Sequence, residues 1–213
     1  IIPIDPALDK SAPEGKRATS YIPLYEWQEL KLFVWSFEKV LKNVKTDKGL
    51  QLRIMMIVYC HIFEADFPFA VIWNLLRALK GLPESWIFTR KNKKGNLDVC
   101  EYPSQKIPEI QNLSNEQGLK VGDILHSLWS ADLRNNFSHS QYSITDDAIF
   151  FTKDISPISR RPLEGMPHGK AELKNQDLKK YYNGACTLID VFDQEYLSIY
   201  KKATLQNKSL EVT

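Results

Sequence analysis

The sequence predicts a mainly α-helical protein, an antiparallel bundle of four to five helices with a small β-hairpin late in the chain. Apolar residues recur at intervals of three and four over several long stretches, which is typical of helices with one buried face. The alternating period of two that is typical of strands is clearest around residues 142–152. Hydrophobic residues make up 43% of the 213 residues, which is enough for a sizeable core.

The length of the chain favours one domain with an extension at each end. Residues 1–24 contain four prolines, which predict an extended N-terminal arm rather than a long helix. Residues 25–203 are predicted to form a single helical domain. Residues 204–213 are polar and are predicted to form a flexible tail.

The first two helices are predicted from their apolar stripes. From Tyr25 to Val44, apolar side chains follow helical spacing, and lysines crowd the end of the stripe, where cations suit the helix dipole. The second helix, residues 50–64, is apolar on nearly every side, which predicts a central position in the fold. His61 lies within it and is therefore predicted to be a core residue.

A third helix and a long connection are predicted next. Asp66 followed by Pro68 predicts a helix start with Asp66 as the N-cap. Residues 83–113 have weak periodicity and many helix breakers, which predict a long loop with room for a hairpin. The basic run 91–96 is interpreted as a solvated turn, and contact with phosphates is its alternative interpretation.

The second half of the chain contains two further predicted helices around a hairpin. Ser114 and Gln117 have the spacing of a capping box, which predicts a helix from there to about residue 140. Residues 142–152 form the predicted hairpin, and residues 154–170 a loop. The last helix is predicted to begin near Asn175 or Gln176.

Composition excludes several classes of function. The net charge of +2, from 28 basic and 26 acidic residues, does not indicate a general nucleic-acid binder, although it permits a local basic site. The three cysteines are far apart and form no C-x-x-C pair, which argues against a disulfide framework or a thiolate zinc site. Their pattern favours a reducing compartment, so a cytoplasmic location is expected.

The sequence lacks several motifs that would indicate a membrane protein, a metalloenzyme or a nucleotide-binding enzyme. No apolar run reaches the ~18 residues that a membrane span needs, so no membrane partner is expected. No signal peptide is visible, but the chain begins with Ile, which leaves a removed leader open. The sequence has no H-E-x-x-H, no Walker loop and no G-x-G-x-x-G, so no metal and no cofactor are expected.

The most informative run is Arg134-Asn135-Asn136-Phe137-Ser138-His139, at the end of the predicted motif helix. Residues four apart on a helix differ by only ~40° around its axis, so Asn135 and His139 share a face. An imidazole can transfer protons at neutral pH, and a guanidinium can hold a phosphate with two parallel hydrogen bonds. These groups suit phosphodiester cleavage, in which an RNA substrate supplies its own 2′-hydroxyl as nucleophile.

The segment from Leu133 to His139, with the following Ser-Gln-Tyr-Ser-Ile, resembles the signature of the HEPN superfamily. Members are α-helical bundles with an R-x(4–6)-H motif, often with Asn directly after the Arg. The resemblance implies a metal-independent endoribonuclease in which Arg134 and His139 are catalytic and Asn135 supports them. Such domains usually form homodimers with a composite cleft. They act on RNA or nucleotides in toxin–antitoxin, abortive-infection or CRISPR-linked defence, where an antitoxin or another complex protein is a partner.

Three further residues are predicted to border the substrate. Asp132 lies two residues before Arg134, Ser138 directly precedes His139 within the motif, and Tyr142 follows His139 by three residues. The ring or hydroxyl of Tyr142 is placed to touch a nucleotide if it lines the cleft.

Two alternative hypotheses stay open. In the first, the domain is a non-catalytic HEPN-like module that binds a nucleotide, RNA or a partner protein. In the second, it is a structural domain of a larger complex, in which Asn135 and His139 merely cap the C-terminal end of their helix.

Overall fold

The computed structural model describes residues 22–145, 148–151 and 171–210. The helices are α1 (Ile22–Asn43), α2 (Lys48–Glu64), α3 (Phe67–Leu79), α4 (Pro103–Asn115), α5 (Val121–Leu128), α6 (Ala131–Ser138) and α7 (Asn175–Leu210). The strands are β1 (Thr89–Lys91), β2 (Leu97–Val99), β3 (Tyr142–Ile144), β4 (Ala148–Phe151) and β5 (Ala171–Lys174). The predicted mainly α fold is confirmed. The predicted arm up to residue 21, residues 146 and 147 of the predicted hairpin, and the loop 154–170 lie outside the described residues.

Helix α2 is the centre of the fold, as its apolar character predicted. It packs against α1 on one side and α7 on another, and it also contacts α6. Nine of its side chains are buried, among them Tyr59 and Phe63, which are fully enclosed. Each large apolar side chain that is removed from water contributes about 1.5–3 kcal/mol, so α2 is the main source of hydrophobic stabilisation.

The prediction that His61 is a core residue is wrong. Arg53, Ile57 and His61 recur every four residues and form the least buried stripe of α2, so His61 is exposed. Its ring centroid lies 4.0 Å from that of Phe33 on α1. The partial burial against this neighbour lowers the pKa of His61.

Two helices extend beyond the predicted boundaries of the domain. Helix α1 already includes Ile22, and Pro23 occupies its first turn, where a missing N–H is tolerated. The helical domain therefore begins before residue 25, the predicted boundary. Helix α7 continues to Leu210 instead of ending near residue 203, because residues 201–210 include several good helix formers such as Lys, Ala, Leu and Gln.

The interpretation of residues 83–113 as one long loop is wrong in its second half. The segment contains the hairpin β1–β2 and then α4. Helix α4 was not predicted, because Pro108 lies inside it. A proline inside a helix costs about 3 kcal/mol. Burial of Ile107, Ile110 and Leu113 offsets that cost, since all three pack into the core.

The single helix predicted from Ser114 to about residue 140 is also wrong. Ser114 lies at the end of α4, where its hydroxyl donates to the carbonyl of Leu119 and accepts from the N–H of Gly122. Two short helices, α5 and α6, follow and are separated at Trp129 and Ser130. Helix α5 packs so closely on α4 that a Cβ at Gly122 would lie 2.4 Å from the Cα of Gln111.

The predicted hairpin after the motif helix is confirmed and gains a third strand. Strands β3 and β4 pair antiparallel with Tyr142 opposite Phe151, and β5 pairs with the other edge of β4. Strand β5 was not predicted, because a strand of four residues is too short to show a clear alternation of apolar and polar side chains. It runs directly into Asn175, the predicted start of the last helix.

Asp66 precedes α3 as predicted, but its side chain does not cap the helix. Its carboxylate pairs with Lys106 of α4, whose side chain is 4% exposed. Glu26 of α1 contacts the same helix start, since its carboxylate accepts the N–H of Asp66. Burial raises the pKa of Glu26 above its ordinary value of 4.5, and the neighbouring Asp66 carboxylate acts in the same direction.

We expect Glu26→Gln to gain stability relative to the wild type as the pH rises from about 4 to about 7. A carboxyl group with a raised pKa in the folded state contributes stability that is complete below its unfolded-state pKa and is lost as the pH rises through the folded value. Glutamine keeps the acceptor oxygen and carries no charge. Urea denaturation across this range, with the exposed Glu29→Gln on the same helix as control, measures the difference. A difference that does not change with pH would contradict the burial of Glu26.

Within the described ranges no single helix is long and apolar enough to cross a membrane, and α2 and α3 would suffice in length and composition only as a pair bent by 41°.

Candidate functional site

The predicted motif helix is α6, a short helix fixed at its start by its own N-cap. The Ser130 hydroxyl accepts the N–H of Leu133, which satisfies one of the free donors of the first turn. Leu133 points into the core and is 1% exposed. Asn136 is also buried, and its amide donates to the carbonyl of Asp132 one turn earlier. These contacts fix which side of α6 faces inward and leave Arg134, Asn135 and Ser138 toward the surface.

The C-terminal end of α6 is closed by a Schellman arrangement around His139. The N–H of Gln141 donates to the carbonyl of Asn136 (2.8 Å), and that of Ser140 to Phe137 (3.0 Å). Ser140 adopts a φ of +55°, a position that glycine usually takes in this motif. His139 is the C-cap, and its N–H donates to the carbonyl of Asn135 (3.0 Å). The imidazole is therefore held at an exposed helix end.

Arg134 is fixed by two oxygen acceptors. Its Nε donates to the carboxylate of Glu64, the last residue of α2, and its Nη1 donates to Oδ1 of Asn135 at 3.1 Å. The Arg134 side chain is 27% exposed and that of Glu64 is 40% exposed. The hydrogen bond that Arg134 donates to Glu64 is the largest cause of the raised pKa of Arg134. A guanidinium has five N–H donors, so several stay available to a phosphate.

Tyr59 of α2 determines where α6 begins. Its hydroxyl donates to the carbonyl of Leu128 (3.0 Å), where α5 ends, and accepts the N–H of Ser130 (2.7 Å), the cap of α6. The side chain is fully buried, and this burial raises the pKa of the hydroxyl. One hydroxyl therefore satisfies both sides of the break between the two helices and ties α6 to the core.

The other predicted residues differ in their exposure. Ser138 is exposed at the end of α6, and Asp132 is half-buried in its first turn, where negative charge suits the helix dipole. Tyr142 of β3 is half-buried, and its ring stacks on that of Phe137 with 5.8 Å between centroids. This stack covers one face of the Tyr142 ring.

The structure brings Arg134 and Asn135 together, whereas the helix directs Arg134 and His139 to different sides. Positions five apart on a helix differ by about 140° around its axis, so Arg134 and His139 diverge. Among the described residues, no hydrogen bond or ion pair joins their side chains. A single chain therefore presents the two groups on different sides of the end of α6.

Three residues of this region were not singled out from the sequence. Glu64 and Tyr59 lie 70 and 71 positions before their partners Arg134 and Ser130, so no local spacing indicates either contact. Tyr102, the N-cap of α4, is 54% exposed and lies one turn before Lys106, whose pair with Asp66 ties α4 to the end of α2. Because it lay in a segment predicted to be a loop, no motif or periodicity indicated that this tyrosine belongs to the site.

Comparisons of the chain with protein-family models, with curated proteins and with solved structures give no significant match.

Proposed function

We propose that this protein is a HEPN-like, metal-independent endoribonuclease that acts through Arg134, Asn135 and His139 at a cleft between two copies of the chain. The observation that carries the proposal is the R-N-x-x-x-H run at the exposed end of α6. There Asn135 holds the guanidinium, and the imidazole stands at the helix cap.

The proposed reaction needs a proton carrier and a cation. The ribose 2′-hydroxyl loses its proton and attacks the adjacent phosphorus, while the bond from phosphorus to the 5′-oxygen breaks and that oxygen takes up a proton. The products are a 2′,3′-cyclic phosphate and a 5′-hydroxyl. His139 would carry one of these protons, and Arg134 would offset the charge that develops on the phosphate oxygens.

A dimer is part of the proposal because Arg134 and His139 diverge on one chain. A second copy related by a two-fold axis near the end of α6 would place its own motif opposite the first. Each cleft would then combine groups from both chains. The exposure of Asn135, Ser138 and His139 leaves this end of α6 free for such a contact within the described part of the protein.

The proposal is tested with a single-stranded RNA and the same oligonucleotide carrying one 2′-deoxyribose at the mapped cleavage position. We expect cleavage of the RNA in the presence of EDTA, with a cyclic phosphate on the upstream product, and no cleavage at the deoxy position. Cleavage that EDTA abolishes, or that continues at the deoxy position, would contradict the mechanism.

A second candidate function is a non-catalytic HEPN-like module that binds RNA, a nucleotide or a partner protein such as an antitoxin. The observation that favours it is the ion pair of Arg134 with Glu64, which occupies part of the cation before any phosphate arrives. Binding of RNA without any product over long incubation would support this candidate instead.

The ion pair itself leads to a prediction: Glu64→Gln should bind single-stranded RNA about fivefold more tightly at low salt. Glutamine keeps an oxygen for the Nε of Arg134, while one negative charge beside the bound phosphate disappears. Such a charge is worth ~1 kcal/mol at about 4 Å in water. Fluorescence anisotropy measures the affinity, and Glu116→Gln, which breaks the exposed pair with Lys80, is the control. Equal affinities of Glu64→Gln and wild type would contradict a phosphate at Arg134.

A further inference from the structure

The β1–β2 hairpin concentrates positive charge that the motif does not use. Residues 89–96 contain four cationic residues and no acidic one, in a chain whose net charge is only +2. Lys93 and Lys94 lie exposed at the tip. Among the residues that the structure describes, neither lysine has an ion-pair partner. The tip therefore presents two uncompensated cations to solvent.

The tip is an ordered turn. Oδ1 of Asn92 accepts the N–H groups of Lys94 and Asn96, each at 3.0 Å. The backbone of Asn92 closes the loop, donating to the carbonyl of Asn96 and accepting from the N–H of Gly95, which has a φ of +81°. This geometry is typical of a three-residue hairpin loop that ends in a glycine bulge. Because the backbone is fixed, binding a ligand there requires little ordering of the chain.

The one acidic residue of the two hairpin strands is bonded within the hairpin and pairs with neither lysine of the tip. Asp98 lies opposite Arg90 in the register, and its carboxylate accepts the side-chain amide of Asn92 at 3.1 Å. On the other face of β2, Leu97 and Val99 are 68% and 48% exposed. Exposed apolar side chains beside cations suit a polyanion that also has flat apolar groups, as a single-stranded nucleic acid does.

The base of the hairpin lies beside the candidate site. Phe88 and Cys100 are buried, and the N–H of Cys100 donates to the carbonyl of Phe88, so the hairpin is anchored in the core. Two residues after Cys100 comes Tyr102, the N-cap of α4. The next turn of α4 is tied to the α2–α3 junction by the pair of Lys106 with Asp66, and Glu64, the partner of Arg134, lies two residues before Asp66.

We propose that Tyr102, Lys93 and Lys94 bind single-stranded RNA along a path that runs from Arg134 to the tip of the hairpin. Tyr102 stacks an unpaired base next to the scissile phosphate, and the two lysines bind phosphates further along the strand. With ~3.3 Å per strand residue, the tip lies roughly 17 Å beyond the base of the hairpin. The proposal rests on the proposed function and names the substrate class of that site, RNA with an unpaired stretch of several nucleotides.

The test compares the affinities of purified variants for a labelled single-stranded RNA of about 12 nucleotides. We expect Tyr102→Ala to bind roughly 5- to 150-fold more weakly, and Tyr102→Phe, which keeps the ring, to bind within about twofold of wild type. The double variant K93A/K94A should make the plot of log K against log salt less steep by about 1.4, which is two phosphate contacts at ~0.7 each. A trinucleotide is too short to reach the tip, so its affinity should be unchanged in K93A/K94A.

The matched control is K42A/K45A, which removes two exposed lysines near the end of α1. They lie near the start of α2, whereas Glu64 is at its end. It should leave the salt dependence unchanged. Wild-type-like binding by both Tyr102→Ala and K93A/K94A, or tighter binding of duplex RNA than of the single strand, would overturn the path but leave the proposed function standing. Absence of RNA binding by the wild-type protein would overturn both.

Discussion

Replacing Arg134 or His139 with alanine is expected to reduce the rate of RNA cleavage by about 10²- to 10⁴-fold. A positioned acid or base contributes that range, and loss of one charge-stabilising group costs about 10²- to 10³-fold. The fold should persist in both variants. His139 is an exposed C-cap, and an exposed ion pair such as that of Arg134 contributes no more than about 1 kcal/mol.

Initial cleavage rates and thermal unfolding of the same preparations measure this prediction. The controls are His126→Ala and Arg53→Ala, which remove exposed side chains of α5 and α2 outside the motif. Wild-type rates in either Arg134→Ala or His139→Ala would exclude the assigned chemistry.

A mixture of the two inactive variants tests whether each cleft draws on both chains. If Arg134 acts with the His139 of a second copy, random exchange gives heterodimers in about half of the molecules, with one intact cleft in each. The mixture should then recover about a quarter of the wild-type rate. If both groups act from the same chain, the mixture should stay as slow as the separate variants.

The second large effect is expected at Tyr59, where the conservative change Tyr59→Phe should lower the free energy of unfolding by about 3 kcal/mol. The ring stays, but the part-buried carbonyl of Leu128 and N–H of Ser130 lose the partner that they share. Each unsatisfied buried group costs about 1–3 kcal/mol. Domains are typically stable by about 5–15 kcal/mol, so this loss is a large share.

Urea denaturation of Tyr59→Phe and of Tyr181→Phe provides the measurement and its control. The Tyr181 ring meets that of Tyr59 edge to face at 5.8 Å, and no hydrogen bond of its hydroxyl occurs among the described residues. We expect only Tyr59→Phe to lower the urea midpoint strongly. The same variant should also slow RNA cleavage, because the start of α6 loses its hydrogen bond to the core. Equal midpoints would show that the hydroxyl does not hold the break between α5 and α6.

The local sequence determined much of the helical framework. Helices α2 and α3, the start of α7 and the hairpin β3–β4 were predicted, because each has a clear apolar period of its own. The position of Arg134–His139 at the end of a helix was predicted for the same reason. Helix α4 was not predicted, because Pro108 is a stronger sign against a helix than its short apolar stripe is for one. In the folded protein, burial of that stripe in the core offsets the free-energy cost of Pro108.

The tertiary structure alone decided how the candidate site is built. The apolar stripe from Leu119 to Leu133 is almost continuous, yet the chain breaks at Ser130, where Tyr59 supplies the hydrogen bonds that the helix gives up. The ion pair of Glu64 with Arg134 joins residues 70 positions apart in the same way. Sequence periodicity reports which face of an element is apolar. It does not report which distant side chain will satisfy a free backbone group or balance a charge. That pairing forms only when packing brings the side chain and its partner together.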